Sequence, residues 1–113
     1  MGGDLWGEIE ETQRLLGVAL SESKRRGAAM VAAEAAYYTA KAEAVFRLKG
    51  DGMPATLINA VVKGEAGVVD EMRAYHAAQV EYDNSREAIN VYKKRLDTLR
   101  EQMQREWGAA GRQ

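Results

Sequence analysis

One proline in 113 residues leaves this chain very few places to break. Pro54 stands just beyond Gly50, Asp51 and Gly52, and together they make the strongest punctuation mark in the sequence. On either side the chain is dominated by Ala, Glu, Lys, Arg, Gln and Leu, all good helix formers. The sequence therefore predicts an all-α fold: a long antiparallel helical hairpin with a short helix at the turn.

The first long helix is expected over about 4–49. Asp4 suits its N-cap, and Glu8, Glu10 and Glu11 suit the positive end of the helix dipole. Leu5, Ile9, Thr12, Leu16, Ala19 and Ser23 step by threes and fours, and the step continues loosely through Met30, Ala33, Tyr37, Ala44 and Leu48. Arg47 and Lys49 followed by glycine form a stop signal. A short apolar helix is expected over about 54–63, with Pro54 at its first position and Leu57, Ile58, Val61 and Val62 capping the hairpin core. The second long helix is expected over about 65–107. Its stripe runs from Val69 through Met72, Tyr75, Gln79, Tyr82, Arg86, Ile89, Tyr92, Leu96, Leu99 and Met103 to Trp107. Gly108 is read as its stop, which makes 1–108 one domain and 109–113 a flexible tail.

Each long helix would span roughly 65–70 Å at about 1.5 Å per residue. Two helices of that length bury little by themselves. The first is also apolar on more than one side between Ala28 and Val45, where closely spaced alanines permit near approach. Spare apolar surface on a thin hairpin predicts self-association into an oligomeric helical bundle. The competing expectation is a compact three-helix monomer, kinked at Gly17 or Gly27. If Lys49 faces Gly64 across the turn, Trp6 falls opposite Trp107, and Tyr37 and Tyr38 fall beside His76 and Tyr75.

Lys plus Arg number 16 against 17 for Asp plus Glu, a balance that argues against general nucleic-acid binding. With no cysteine, disulfides and thiolate metal sites are excluded. No apolar run is long enough to span a bilayer, and Met1-Gly2-Gly3-Asp4 has neither the basic nor the apolar part of a signal peptide. A cytoplasmic location, no membrane and no cofactor are the expectations.

Catalysis has little to work with. His76 is the only histidine, and the nearest serine on its helix, Ser85, is about 13 Å along the axis. The Glu-x-x-His pairs of helical di-iron sites are absent, and the turn lacks P-loop spacing. The chain is read as not an enzyme and without a metal.

Three features are candidates for binding. The turn and short helix, with Thr56 and Lys63, could hold a phosphate at a helix N-terminus; the plainer reading is a cap on the core. The layer Tyr37, Tyr38, Tyr75 and His76, with Arg73 one turn away, could stack a nucleobase; the plainer reading is core or interface packing. The runs Lys24-Arg25-Arg26 and Lys93-Lys94-Arg95 could form a phosphate-contacting band; the plainer reading is a solvated face.

Glu8-Ile9-Glu10-Glu11-Thr12-Gln13, Met53-Pro54-Ala55-Thr56-Leu57-Ile58, Ala88-Ile89-Asn90-Val91 and Arg105-Glu106-Trp107-Gly108 resemble a family of small helical proteins of phages and prophages of Gram-positive bacteria. The likeness spans nearly the whole chain and includes no catalytic motif. It implies a viral accessory protein acting in the host cytoplasm. Two functions are then compared. One is a host-defence antagonist that sequesters a cyclic nucleotide or ADP-ribose-type signal in a homo-oligomeric scaffold. The other is an accessory to phage DNA replication or recombination that binds DNA or a protein partner.

Overall fold

Backbone geometry at Gly52 ends the first long helix. Its φ of +83° is open to glycine but strained for residues with a Cβ. Gly52 N–H bonds the carbonyl of Lys49 at 3.0 Å, and Met53 N–H reaches back to Leu48 at 3.1 Å. This pair of bonds is a Schellman stop, completed by the packing of Met53 against the apolar cluster that contains Leu48.

The computed structural model describes residues 2–111, with side chains over 4–109. Three helices follow in order: α1 (Gly2–Gly50), α2 (Ala55–Val62) and α3 (Ala66–Gly111), with no strand among the described residues. Helix α1 runs unbroken through Gly7, Gly17 and Gly27. A helical glycine costs only about 1 kcal/mol relative to alanine, so none of them has to end it.

Three sequence expectations need correction. Asp4 lies inside the first turn of α1 rather than capping it, where its charge still meets the positive end of the dipole. Pro54 is the N-cap of α2, not its first helical residue: its ψ is 140°, and its carbonyl already accepts from Leu57 and Ile58. Gly108 does not stop α3, which continues to Gly111; an added Cβ at Gly108 would meet nothing, so no close approach requires the glycine. Of the expected tail, residues 112 and 113 lie outside the described residues.

The described residues form two compact units. One takes the chain up to Lys24 together with the stretch from Asp83 onward; the other is Arg25–Tyr82. Within each unit α1 packs against α3. In the first unit Leu5 and Ile9 meet Leu96 and Leu99, with Leu16 and Met103 against them. Thr12 and Ser23 are buried on the same stripe, so the 3–4 periodicity located the inner face correctly. Trp6 and Trp107 are 55% and 75% exposed, and no ring contact joins them. Leu5 occupies the inward position that the stripe assigns to it, and its neighbour Trp6 points elsewhere.

In the second unit Ala44 and Leu48 of α1, Ile58 and Val62 of α2 and Val68 of α3 form a buried cluster. Helix α2 presents Ile58 and Val62 to it, four residues apart and so on one face. Leu57 and Val61 fall on the other side and stay exposed, so only half of the expected apolar cap is inside. Arg47 bridges to Glu65 at 2.9 Å, tying the end of α1 to the residue just before α3. Going back along α1, Glu34 meets Tyr75 and Arg26 meets Glu81, so the two helices run antiparallel through this unit.

Candidate functional site

The aromatic layer expected from the sequence assembles in the second unit. Adjacent on α1, Tyr37 and Tyr38 have ring centroids 5.4 Å apart. Tyr37 stacks across to Tyr75 of α3 at 6.1 Å, with only 21° between the planes. Tyr75 in turn lies 5.8 Å from His76. Four rings thus form a continuous chain, Tyr38–Tyr37–Tyr75–His76. The inner two are half-buried and the outer two are exposed.

Polar contacts tie the inner part to both helices. The Tyr75 hydroxyl donates to Glu34 Oε2 at 2.7 Å and accepts from Gln79 Nε2 at 3.0 Å. The Glu34 carboxylate, as acceptor of that proton, pushes the Tyr75 phenol above its ordinary pKa, and burial adds to the shift. At neutral pH Tyr75 is therefore a fixed neutral donor and leaves only ring faces for a ligand.

Each outer ring has a cation one turn away on its own helix: Lys41 follows Tyr38 by three residues, and Arg73 precedes His76 by three. The Lys41 ammonium also lies 6.0 Å from the centroid of Tyr37, at the edge of cation–π range. Tyr38, Lys41, Ala42, Val45, Phe46 and Lys49 line a shallow groove along α1.

Glu34, Gln79 and Lys41 were not singled out from the sequence. The signal was spacing: Gln79 is four residues from Tyr75, and Glu34 and Lys41 are one turn on either side of the Tyr37–Tyr38 pair.

Thr56 and Lys63 do not join the layer. They sit near opposite ends of α2, about 10 Å apart along its axis, so they do not converge on one anion. The cluster that holds α2 touches the layer only through Tyr37, which packs against it together with Ala40, Val45 and Met53.

The expected basic band is divided. Lys24, Lys93, Lys94 and Arg95 belong to one unit, Arg25 and Arg26 to the other. Arg26 Nη1 is on Glu81 Oε2 at 2.6 Å, which neutralises one of the band's charges. Arg95 shares a shallow depression with Asp4, Glu8 and Glu11, an acidic setting unsuited to phosphate.

Among the described residues no group of His, Asp and Glu side chains is placed to hold a metal ion. No described helix is long and apolar enough to cross a membrane. No protein-family model, curated protein or solved structure matches the chain.

Proposed function

We propose that this chain is a non-enzymatic binding protein that takes up a nucleotide. The base stacks on an outer ring of the Tyr38–Tyr37–Tyr75–His76 layer, and the phosphates meet the cation beside it. The observation that carries this reading is the paired arrangement of exposed ring and neighbouring cation at both ends of the layer: Tyr38 with Lys41, and His76 with Arg73. Stacking on an aromatic face is worth about 1–3 kcal/mol per base and tolerates any base, so the phosphate-side cations would set the ligand class.

In the viral setting implied by the sequence resemblance, such a protein antagonises host defence by sequestering a cyclic nucleotide or ADP-ribose-type signal in the host cytoplasm. Sequestration needs affinity and copy number, not chemistry, which suits a site without a nucleophile–base pair.

Thermal unfolding against cyclic di- and trinucleotides, ADP-ribose derivatives and short single-stranded DNA tests the reading. A ligand at 100 times its dissociation constant adds about 2.7 kcal/mol of stability. The expected result is a rise in Tm with one nucleotide class that Arg73→Ala, Tyr38→Ala or both abolish. A rise with DNA alone, steeply weakened by salt, transfers the role to a replication or recombination accessory. No rise with any nucleotide overturns the proposal.

A further inference from the structure

Charge is distributed on α1 the wrong way round for a helix whose outer side faces water. From residue 28 to residue 42 every exposed position is uncharged: alanines, with Val31, Tyr38 and Thr39. The two charged residues of that stretch, Glu34 and Lys41, are the half-buried ones. A helix on a protein surface ordinarily carries its charges outward. Val31 and Tyr38 are instead 64% and 57% exposed.

The strip also has a heptad pattern. Ala28, Val31, Ala35, Tyr38, Ala42 and Val45 alternate steps of three and four; the first five are exposed, and Val45 is half-buried, with one side on the Ala44–Leu48 cluster and the other on the groove beside Tyr38. One heptad position is alanine each time, and the other is a larger residue each time. A parallel pairing of two such strips would set alanine against alanine and tyrosine against tyrosine, leaving layers alternately hollow and crowded. An antiparallel pairing sets Ala28 against Val45, Val31 against Ala42 and Ala35 against Tyr38, so that every layer joins one small and one large side chain.

The flanking charges select the same arrangement. Glu34 and Lys41 border the strip on one side, one heptad apart. In the antiparallel register Glu34 of each copy comes beside Lys41 of the other, twice by symmetry. A parallel register would offer these charges Thr39 and Phe46 instead. Glu34 spends one oxygen on the Tyr75 hydroxyl, and a carboxylate has acceptor sites to spare for an ammonium.

We infer that the outer face of α1 between Ala28 and Val45 is the seam of an antiparallel homodimer, its layers built from Ala–Val and Ala–Tyr pairs and its flanks from reciprocal Glu34–Lys41 contacts. The inference does not depend on the nucleotide reading. It does bear on it: the dimer covers Tyr38 and leaves the His76–Arg73 end of the ring layer open.

The test is sedimentation equilibrium of the full chain at sub-millimolar concentration. Wild type is expected at twice the 12.5 kDa chain mass. Ala35→Glu puts a charge into the central layer and returns the mass to that of one chain, with helical circular dichroism unchanged because residue 35 is exposed in the monomer. Lys41→Glu weakens the dimer, and the double variant E34K/K41E restores it. With no native cysteine in the chain, A28C/V45C forms intermolecular disulfides under mild oxidation while A28C alone does not. A monomeric wild type, a dimer indifferent to Ala35→Glu, a K41E dimer that E34K fails to restore, or A28C cross-linking as well as the double variant would each overturn the inference.

Discussion

The Tyr75 hydroxyl on α3 donates to Glu34 on α1 at 2.7 Å, and the ring that carries it stacks on Tyr37 of α1. A single residue thereby joins the two long helices of its unit both by ring packing and by a charge-assisted hydrogen bond. The same bond holds the phenol protonated past its ordinary range.

Tyr75 is accordingly expected to ionise late. In a spectrophotometric titration, Tyr75 should deprotonate above the usual value near 10, and Tyr75→Phe should remove that late step. The bond requires the neutral phenol, so its stabilising contribution is complete below the unfolded pKa and is lost as pH rises through the higher folded one. Tyr75→Phe should thus lower Tm at pH 7 and 9, with the gap from wild type closing above pH 10. A gap constant to the alkaline limit would show that the hydroxyl does not act in this way.

Gly52→Ala should destabilise the chain by about 1–2 kcal/mol, because position 52 is held at φ +83° where a Cβ crowds the backbone. Gly50, in ordinary helical geometry with nothing within 4 Å of an added Cβ, is the control. Urea unfolding of both variants should separate them; equal midpoints would contradict the role assigned to Gly52.

Gly17→Ala and Gly27→Ala should also differ. Both positions are helical, where alanine is favoured by about 1 kcal/mol. At 17 an added Cβ meets nothing, so the full gain should appear as a higher Tm. At 27 it would lie 3.1 Å from Cε1 of Tyr82, so the ring must shift and the gain should shrink or vanish. A larger gain at 27 than at 17 would mean that α1 and α3 are further apart there than the structure has them.

Helix α2 is held through one face only. Val62→Ala, at a position 1% exposed, should cost about 2 kcal/mol in chemical denaturation. Leu57→Ala, on the exposed side, should stay within about 0.5 kcal/mol of wild type. Comparable losses would place Leu57 in a contact, and α2 would then have a second partner.

Much of this protein is legible in its sequence. A chain with one proline and a run of strong helix formers can be little other than helical, and the 3–4 stripe from Leu5 to Ser23 marked the inner face residue by residue. That Tyr37 and Tyr38 would come level with Tyr75 and His76 was also readable, because residues equally distant from a tight turn meet across an antiparallel pair, although that rule sets Tyr37 against His76 and the structure stacks it on Tyr75. Other features were decided only in three dimensions. Which of Leu57, Ile58, Val61 and Val62 would be buried depends on the angle at which a two-turn helix lies on its neighbours, and an all-apolar segment holds no periodicity to reveal that. Whether Gly108 would end α3 depends on competition between its small intrinsic penalty and the continuation of the helix around it. Glu34 has a hydroxyl partner because α3 brings Tyr75 alongside, a long-range pairing that leaves no local trace. Local propensity and periodicity act over one or two turns and are written in the sequence; side-chain pairing between helices depends on their mutual rotation and offset, which packing alone sets.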